Sequence, residues 1–243
     1  MLSACASAPF QRERLKAADR FAVVGFELIR KGPIDASLGG LLSPTESGGF
    51  GKAAKVEKTE HASAVYRASL EGMNRSLGWK TLRYEELAKQ PAYVAAHKER
   101  MSGFRSLPTI PEGFVIHHAG DLMDWGAVER MDEAQRARLA KDLKASALVL
   151  LSLQVEPLKE GLAGLVGGAK FKPQATLRLR VYAQDGKEIL WDVSNLRGEA
   201  AEGDVKIVGG AENNRGVDAL ILEASRKTWP QLGERYRAEP SKN

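Results

Sequence analysis

The stretch DEAQRARLAKDLKASALVLLSLQV (residues 132–155) joins a helix to a strand, and it decides the fold class. Asp132 is a favourable helix N-cap, and the residues that follow it as far as about Ala145 are strong helix formers. Residues 147–155 are apolar almost throughout, which is typical of a strand that is covered on both faces. A helix that leads directly into a buried strand predicts an α/β sheet with helices packed on it.

A β-hairpin and a closing helix are predicted downstream of this unit. Residues 174–182 alternate between apolar and polar side chains, and residues 187–193 return after the turn QDGK (184–187). The Asp-Gly pair suits such a turn because it tolerates positive φ angles. Residues 215–237 then have the spacing of a long amphipathic helix, with a kink expected at Pro230.

Upstream, the run FAVVGFELI (21–29) predicts a second central strand. A helix is expected from residues 59–60 to about Leu77, where Gly78 ends it. A third strand is predicted over residues 79–84, and it passes into a short helix at EEL (85–87). Another helical segment is predicted over about 92–101, and residues 103–125 are expected to be irregular. Loops are expected over the stretches 31–58, 157–173 and 196–213. The last of these loops is expected to contain a short strand at 205–208.

These elements predict a single α/β (α+β) domain over residues 20–237. Its expected architecture is a mixed four- to five-stranded sheet flanked by helices, with a C-terminal β-hairpin and a closing helix. A chain of 243 residues is long enough to bury such a core. Residues 1–19 are predicted to be a lipobox remnant and a tether, and residues 238–243 a tail.

The single cysteine, Cys5, stands in the segment Leu-Ser-Ala-Cys, which resembles a bacterial lipobox. A secretory signal needs roughly 7–15 apolar residues before its cleavage site, whereas four residues precede Cys5, so we expect the leader to be missing from this sequence. The lipobox interpretation makes Cys5 the lipidation site and places the protein at the periplasmic face of the outer membrane. The alternative is an unmodified cysteine in a disordered tail.

The composition is that of a globular protein with a mild basic excess. The net charge is +5, and no apolar run approaches the roughly 18 residues that span a bilayer. A basic balance favours anionic partners such as nucleic acid, lipid headgroups or cell-wall polymer. In the sequence, the basic residues are too evenly spread to select one of these partners.

Candidate motifs for cofactor binding, metal binding and catalysis do not match the required residues. The stretch SGGFGKAA (47–54) has Glu46 and Ala53 where a phosphate-binding loop needs Gly and Ser or Thr. His117 and His118 are adjacent, and adjacent side chains on a strand point to opposite faces, so a shared metal is not expected. No Gly-x-Ser-x-Gly elbow exists. We therefore expect no cofactor, no metal and no enzymatic activity.

Arg178 and Arg180 alternate with apolar residues on the polar face of the predicted hairpin, near Lys187. These three residues form a candidate exposed basic stripe for binding a partner. The competing interpretation is that charges on exposed strand positions only prevent edge-to-edge pairing.

The chain as a whole resembles a group of bacterial outer-membrane lipoproteins with a small α/β domain. The group includes the curli-secretion lipoproteins and the lipoprotein activators of penicillin-binding proteins, and the N-terminal domain of the Tol-system β-propeller protein is related in fold. The resemblance covers about residues 20–237 and rests on these segments: LSAC, FAVVGFEL, GWKTLRYEEL, DEAQRARLAKDLKASALVLLSLQVE and LRLRVYAQDGKEILWDV. It implies a non-enzymatic envelope protein that scaffolds, secretes or activates through protein contacts.

Three functional hypotheses follow. The first is a lipid-anchored scaffold, secretion or activator component that contacts an envelope protein or itself, with no nucleic acid bound. The second is a binding domain for an anionic envelope polymer, peptidoglycan or polysaccharide, which predicts basic and aromatic residues clustered in a groove. The third is an unrecognised hydrolase, which predicts a pocket with at least two perturbed titratable groups.

Overall fold

The computed structural model describes residues 9–31, 56–58, 60–101, 114–160, 169–197, 204–205 and 214–239. Cys5, most of the predicted loop 31–58 and the middle of the stretch 157–173 lie outside these residues. The helices are α1 (Arg12–Ala17), α2 (Glu60–Gly72), α3 (Tyr84–Leu87), α4 (Pro91–Met101), α5 (Trp125–Glu129), α6 (Glu133–Asp142) and α7 (Asn214–Ala238), with a π-helical turn at Met73–Leu77. The strands are β1 (Phe21–Lys31), β2 (Val56–Lys58), β3 (Phe114–His118), β4 (Ala147–Glu160), β5 (Ala169–Ala183), β6 (Glu188–Arg197) and β7 (Asp204–Val205).

The strands form one mixed sheet in the order β2-β3-β1-β4-β5-β6, and β7 pairs with β5. Strand β1 is parallel to β4 and antiparallel to β3, and β4, β5 and β6 form an antiparallel meander. Five strands have at least five residues, and β2 and β7 are short additions. The predicted fold class, a mixed α/β sheet flanked by helices with a hairpin and a closing helix, is confirmed.

Helices pack on both faces of the sheet. Helices α5 and α6 pack on one face, where Arg136 lies over the ring of Tyr182. Helices α2 and α7 pack together on the other face, where Asp192 of β6 binds Arg235 and Tyr236 of α7. The predicted apolar face of β5 is buried, namely Ala175, Leu177, Leu179 and Val181, and the last two residues of the strand, Tyr182 and Ala183, are buried as well.

Strand β1 is interrupted by a register shift between Val23 and Gly25. A bulge turns backbone groups away from the ladder, and such groups need other partners when they are buried. Tyr66 of α2 donates a hydrogen bond to the carbonyl of Val23, and Tyr93 of α4 donates one to the carbonyl of Val24. Two buried tyrosines therefore tie helices to the irregular part of the central strand.

The predicted strand over residues 79–84 is wrong. Only Thr81 pairs with the sheet, through an isolated bridge to Phe21, and the chain enters α3 at Tyr84. The bridge uses two backbone hydrogen bonds, from Phe21 to the carbonyl of Lys80 and from Leu82 to the carbonyl of Phe21. The pairing stays this short because the chain turns into α3 two residues after Leu82.

Three segments expected to be irregular contain strands, and the first is β2 at the end of the predicted loop 31–58. Residues Phe114–His118 form β3, which pairs with β1 and β2 on its two sides. Strands β4 and β5 extend into the predicted loop 157–173, as far as the pair Glu160 and Lys170. Glycine and proline content predicts a loop, whereas the long antiparallel pairing of β4 with β5 sets the observed ends.

The predicted tether is also wrong over residues 10–19, because these residues pack on the domain. Phe10 bridges to Leu190 at the edge of β6, and α1 follows directly. Phe10 and Leu15 are buried, at 5% and 7% exposure. Two apolar side chains in a mostly polar segment were too weak a signal to predict this packing.

Among the described residues, no helix has both the length and the apolar character needed to cross a membrane.

Candidate functional site

The three residues of the predicted basic stripe have different surroundings. Arg178 and Lys187 are exposed. Arg180 is only 19% exposed, and its guanidinium lies 2.6 Å from Glu129 and 3.0 Å from Glu188. It also lies 4.1 Å from the ring centroid of Trp191. The charge of Arg180 is therefore neutralised within the domain, which corrects the expectation of a continuous exposed stripe.

The histidine pair lies on β3. His118 is buried and His117 is partly buried. Within the described ranges, no three His, Cys, Asp or Glu side chains lie together as a metal site would need. The nearby Asp124 has a structural role, since its side chain accepts a hydrogen bond from Ala127 at the N-terminus of α5.

A basic groove lies elsewhere, where α1, the π turn and the end of α7 meet. It has a volume of about 680 Å³. Among the described residues, its lining includes four cations and no carboxylate: Arg12, Lys16, Arg75 and Arg237. The floor is supplied by apolar and aromatic side chains: Phe10, Leu15, Leu77, Trp79 and Tyr236. We refer to this hollow as the basic groove.

The π turn shapes one wall of the basic groove. Helix α2 ends at Gly72, and Met73–Leu77 continues it as a π helix, a rare form that is frequent at functional sites. Gly78, in the left-handed region at φ 72°, ends the turn with its N–H on the carbonyl of Met73. Asn74 then accepts hydrogen bonds at 3.0 Å from the backbone and the hydroxyl of Thr81. Arg75 is presented to the groove by this turn.

Close packing between α2 and α7 holds the π turn in place. A Cβ on Gly72 would lie 2.1 Å from the indole of Trp229, and a Cβ on Gly233 would lie 2.5 Å from the carbonyl oxygen of Ser76. Only glycine allows either approach. The guanidinium of Arg237 also donates to the Ser76 carbonyl at 3.2 Å.

The N-terminal segment closes the other wall. Arg12 donates hydrogen bonds to the carbonyls of Tyr236, Arg237 and Glu239, so its positive charge lies at the C-terminal end of α7. A cation at that end is favourable because the last carbonyls of a helix carry partial negative charge. Phe10 packs on Tyr236, with 5.1 Å between the ring centroids. Arg12 and Phe10 therefore join the first described residues to the last helix.

Two smaller hollows border the basic groove around the π turn. One, of about 630 Å³, shares Gly78 and Trp79 with it, and the other, of about 340 Å³, shares Arg75 and Ser76. In the described part of the chain, the residues that line the three hollows include eight cations: Arg12, Lys16, Arg67, Arg75, Lys80, Arg83, Arg226 and Arg237. Two carboxylates, Glu71 and Glu85, accompany them. The positive excess of six exceeds the net charge of the whole chain, which is +5.

Sequence reasoning missed this site because its cations come from three distant segments. Lys16 belongs to the predicted tether, Arg75 to a predicted helix and Arg237 to the closing helix. Each of the three looks like an ordinary solvated charge in the sequence. The positive charge that the sequence spreads evenly is concentrated in space around the π turn.

A buried carboxyl group, Glu27, lies on β1 away from the basic groove. It is 4% exposed, and burial raises its pKa to about 7, a rise that the hydroxyl of Ser152 on the paired strand opposes. Asp124 adds to the rise, and Arg178 opposes it. Glu27 lines none of the three hollows described above.

Comparisons with known proteins identify no family. No family model matches the chain, and no curated protein matches it. Among solved structures, a hypothetical protein of Chlamydia trachomatis is similar with a TM-score of 0.41, 10% identity and coverage of 91% of this chain and 99% of that chain. A lipoprotein of Neisseria meningitidis is similar with a TM-score of 0.33, 11% identity and coverage of 87% and 96%.

A third solved structure, described as a homologue of a neuraminyllactose-binding hemagglutinin from Helicobacter pylori, has a TM-score of 0.30, 8% identity and coverage of 89% and 82%. At TM-scores and identities of this size, the three likenesses assign neither a family nor a function to this chain. The resemblance to the curli-secretion and penicillin-binding-protein-activator lipoproteins stays a prediction.

Proposed function

We propose that this protein is a non-catalytic domain of the bacterial envelope, lipid-anchored at Cys5, that binds an anionic envelope component in the basic groove. The observation that carries the proposal is the concentration of positive charge around the π turn. Among the described lining residues of the groove there are four cations and no carboxylate, although Glu13 on the exposed side of α1 pairs with Lys16 at 3.4 Å. Like charges gathered at one surface repel each other, and an anionic ligand relieves that repulsion.

The anionic-ligand hypothesis gains more support than the protein-scaffold hypothesis. As derived from the sequence, the anionic-ligand hypothesis predicts basic and aromatic residues clustered in a groove. Residues of both kinds line the basic groove. Across the described part of the chain, Val94 and Val193 are the exposed large hydrophobic residues, at 50% and 48%. Two isolated valines do not make the apolar patch that a stable protein interface usually offers.

Binding is tested with the full chain carrying Cys5→Ser, which keeps the domain and removes the anchor. Its ligands are peptidoglycan fragments, an anionic polysaccharide and anionic lipid vesicles, each measured over a salt series. We expect affinity for at least one of these to fall as salt rises, because exposed charges are screened. The variant Arg75→Gln/Arg237→Gln should bind that ligand about 5- to 30-fold more weakly, because each cation contributes up to about 1 kcal/mol to the binding free energy.

The matched control is Arg138→Gln/Lys141→Gln, which removes the same charge from exposed positions of α6 on the opposite face of the sheet. We expect this control to keep most of the affinity. Equal losses in the two double variants, or no salt-dependent binding of any of the three ligands, would refute the proposal.

The anchor is tested separately, by measuring the intact mass of the protein expressed from its native locus and its distribution between membrane fractions. A mature chain that begins at an acylated Cys5 in the outer-membrane fraction is the expected result. An unmodified chain in the cytosol would contradict the lipoprotein part of the proposal.

A further inference from the structure

We propose that the anionic component bound by the basic groove is the phospholipid of the membrane that holds the anchor, with phosphate headgroups at the cationic rim. This inference rests on the proposed function and narrows its ligand to one class. Three observations carry it: the amphipathic lining of the groove, its place in the chain relative to Cys5, and its volume.

The lining of the groove is divided between charge and apolar surface. The apolar part of the lining is the half-buried Leu77 with the exposed edges of Leu15 and Trp79, which are 7% and 8% exposed. Lys16, which also pairs with Glu13, and Arg75 are exposed cations at the rim. A phospholipid has the complementary division, with an anionic phosphate next to its glycerol and acyl groups. A hydrophilic polymer would contact the cations and leave the apolar floor unfilled.

The chain also places the groove close to any lipid on Cys5. Pro9, the first described residue, is four residues after Cys5, and an extended chain advances about 3.5 Å per residue. Whatever its conformation, this connection spans at most roughly 14 Å. Phe10 and α1, which come next, already line the groove. A lipidated Cys5 therefore keeps the groove beside the bilayer, whereas a wall polymer farther from the membrane is harder to reach.

The volume of about 680 Å³ lies in the range of small-molecule sites. It suits a headgroup with the first part of the acyl chains rather than a protein domain. Arg75 and Arg237 supply guanidinium groups, which bind phosphate oxygens in pairs.

The first test measures co-sedimentation of the Cys5→Ser chain with vesicles of phosphatidylcholine alone and with 30% phosphatidylglycerol. We expect binding to the anionic vesicles, reversed by salt. At about 1 kcal/mol for each cation at an anionic surface, Arg75→Gln/Arg237→Gln should lower the partition coefficient about 30-fold. The control Arg138→Gln/Lys141→Gln should change it by less than about fivefold, and circular dichroism melts verify that both variants are folded.

The second test examines the apolar floor with a soluble lipid. Short-chain dihexanoyl phosphatidylglycerol should bind at least about tenfold more tightly than glycerol 3-phosphate, since burial of one methylene group is worth about fourfold. Equal affinity for the two compounds would overturn the role of the floor.

The outcomes separate this inference from the proposed function. Groove-dependent binding of peptidoglycan or polysaccharide without groove-dependent vesicle binding would overturn the lipid inference and leave the proposed function intact. Vesicle binding that falls equally in the groove and control variants would show general charge attraction and overturn the inference. No salt-dependent binding of any probe would overturn both.

Discussion

Glu27 gives the most direct test of the physical reasoning. Glu27 lies on β1 in register with Ser152 of β4, and its carboxyl group is buried. Burial raises the pKa of this group from 4.5 to about 7. The folded state therefore holds a proton that the unfolded state releases at lower pH. The free energy of unfolding contains a contribution that is fully present below pH 4.5 and is lost as the pH rises to about 7.

The size of this change in the free energy of unfolding follows from the rise in the pKa of Glu27. A difference of about 2.5 pH units corresponds to about 3 kcal/mol at 1.36 kcal/mol for each unit. Glu27→Gln keeps the shape of the side chain and removes its titration. Relative to the wild type, the variant should gain about 3 kcal/mol of stability between pH 4.5 and pH 8.

The assay is urea denaturation of both proteins, followed by tryptophan fluorescence at half-unit steps from pH 4 to pH 8.5. The quantity compared at each pH is the difference between the two free energies of unfolding, in which the titration of all other groups largely cancels. A flat difference, or a variant that loses stability as the pH rises, would refute the reasoning; the second result would mean that Glu27 is ionised and paired in the fold.

Two further substitutions test the packing that positions the basic groove. Gly72→Ala places a methyl group 2.1 Å from the buried indole of Trp229. We therefore expect the free energy of unfolding, measured by heat or urea, to fall by about 1–3 kcal/mol despite the better helix propensity of alanine. Unchanged stability would show that Trp229 moves freely. Asp192→Asn removes a buried charge that accepts from Arg235 at 3.0 Å and from Tyr236 at 2.7 Å, and we expect a loss of about 2 kcal/mol, with faster hydrogen exchange at the end of α7. A loss below about 0.5 kcal/mol would contradict the assigned role of this network.

Local patterns were sufficient to predict the elements that bury one regular face. The alternation in β5 predicted its buried apolar face correctly, although Tyr182 and Ala183 at the end of the strand are also buried. The predicted helix before Gly78 is present, and it buries Ala62, Val65 and Met73. The Asp132 cap is present together with its reciprocal bond from Gln135. These features depend on residues within a few positions of one another, so the sequence contains their causes.

Pairing between distant segments was not predictable in the same way. The segment at Thr81 has the composition of a strand but forms a single bridge, while β3 follows a proline-containing stretch and still joins the sheet between β1 and β2. Whether an extended segment pairs depends on which strand edges are free, and that is decided only when the sheet is assembled.

The sequence by itself determined a mixed α/β domain with a hairpin and a closing helix, because those elements follow from periodicity, caps and turns over short distances. It also contained the lipobox-like segment at Cys5. The tertiary structure alone decided where the charge of the protein is concentrated. Lys16, Arg75 and Arg237 meet because α1 packs against the end of α7 and because two glycines let α7 approach the π turn. Electrostatic interactions depend on the distances between charges in space, and separation along the chain does not determine those distances.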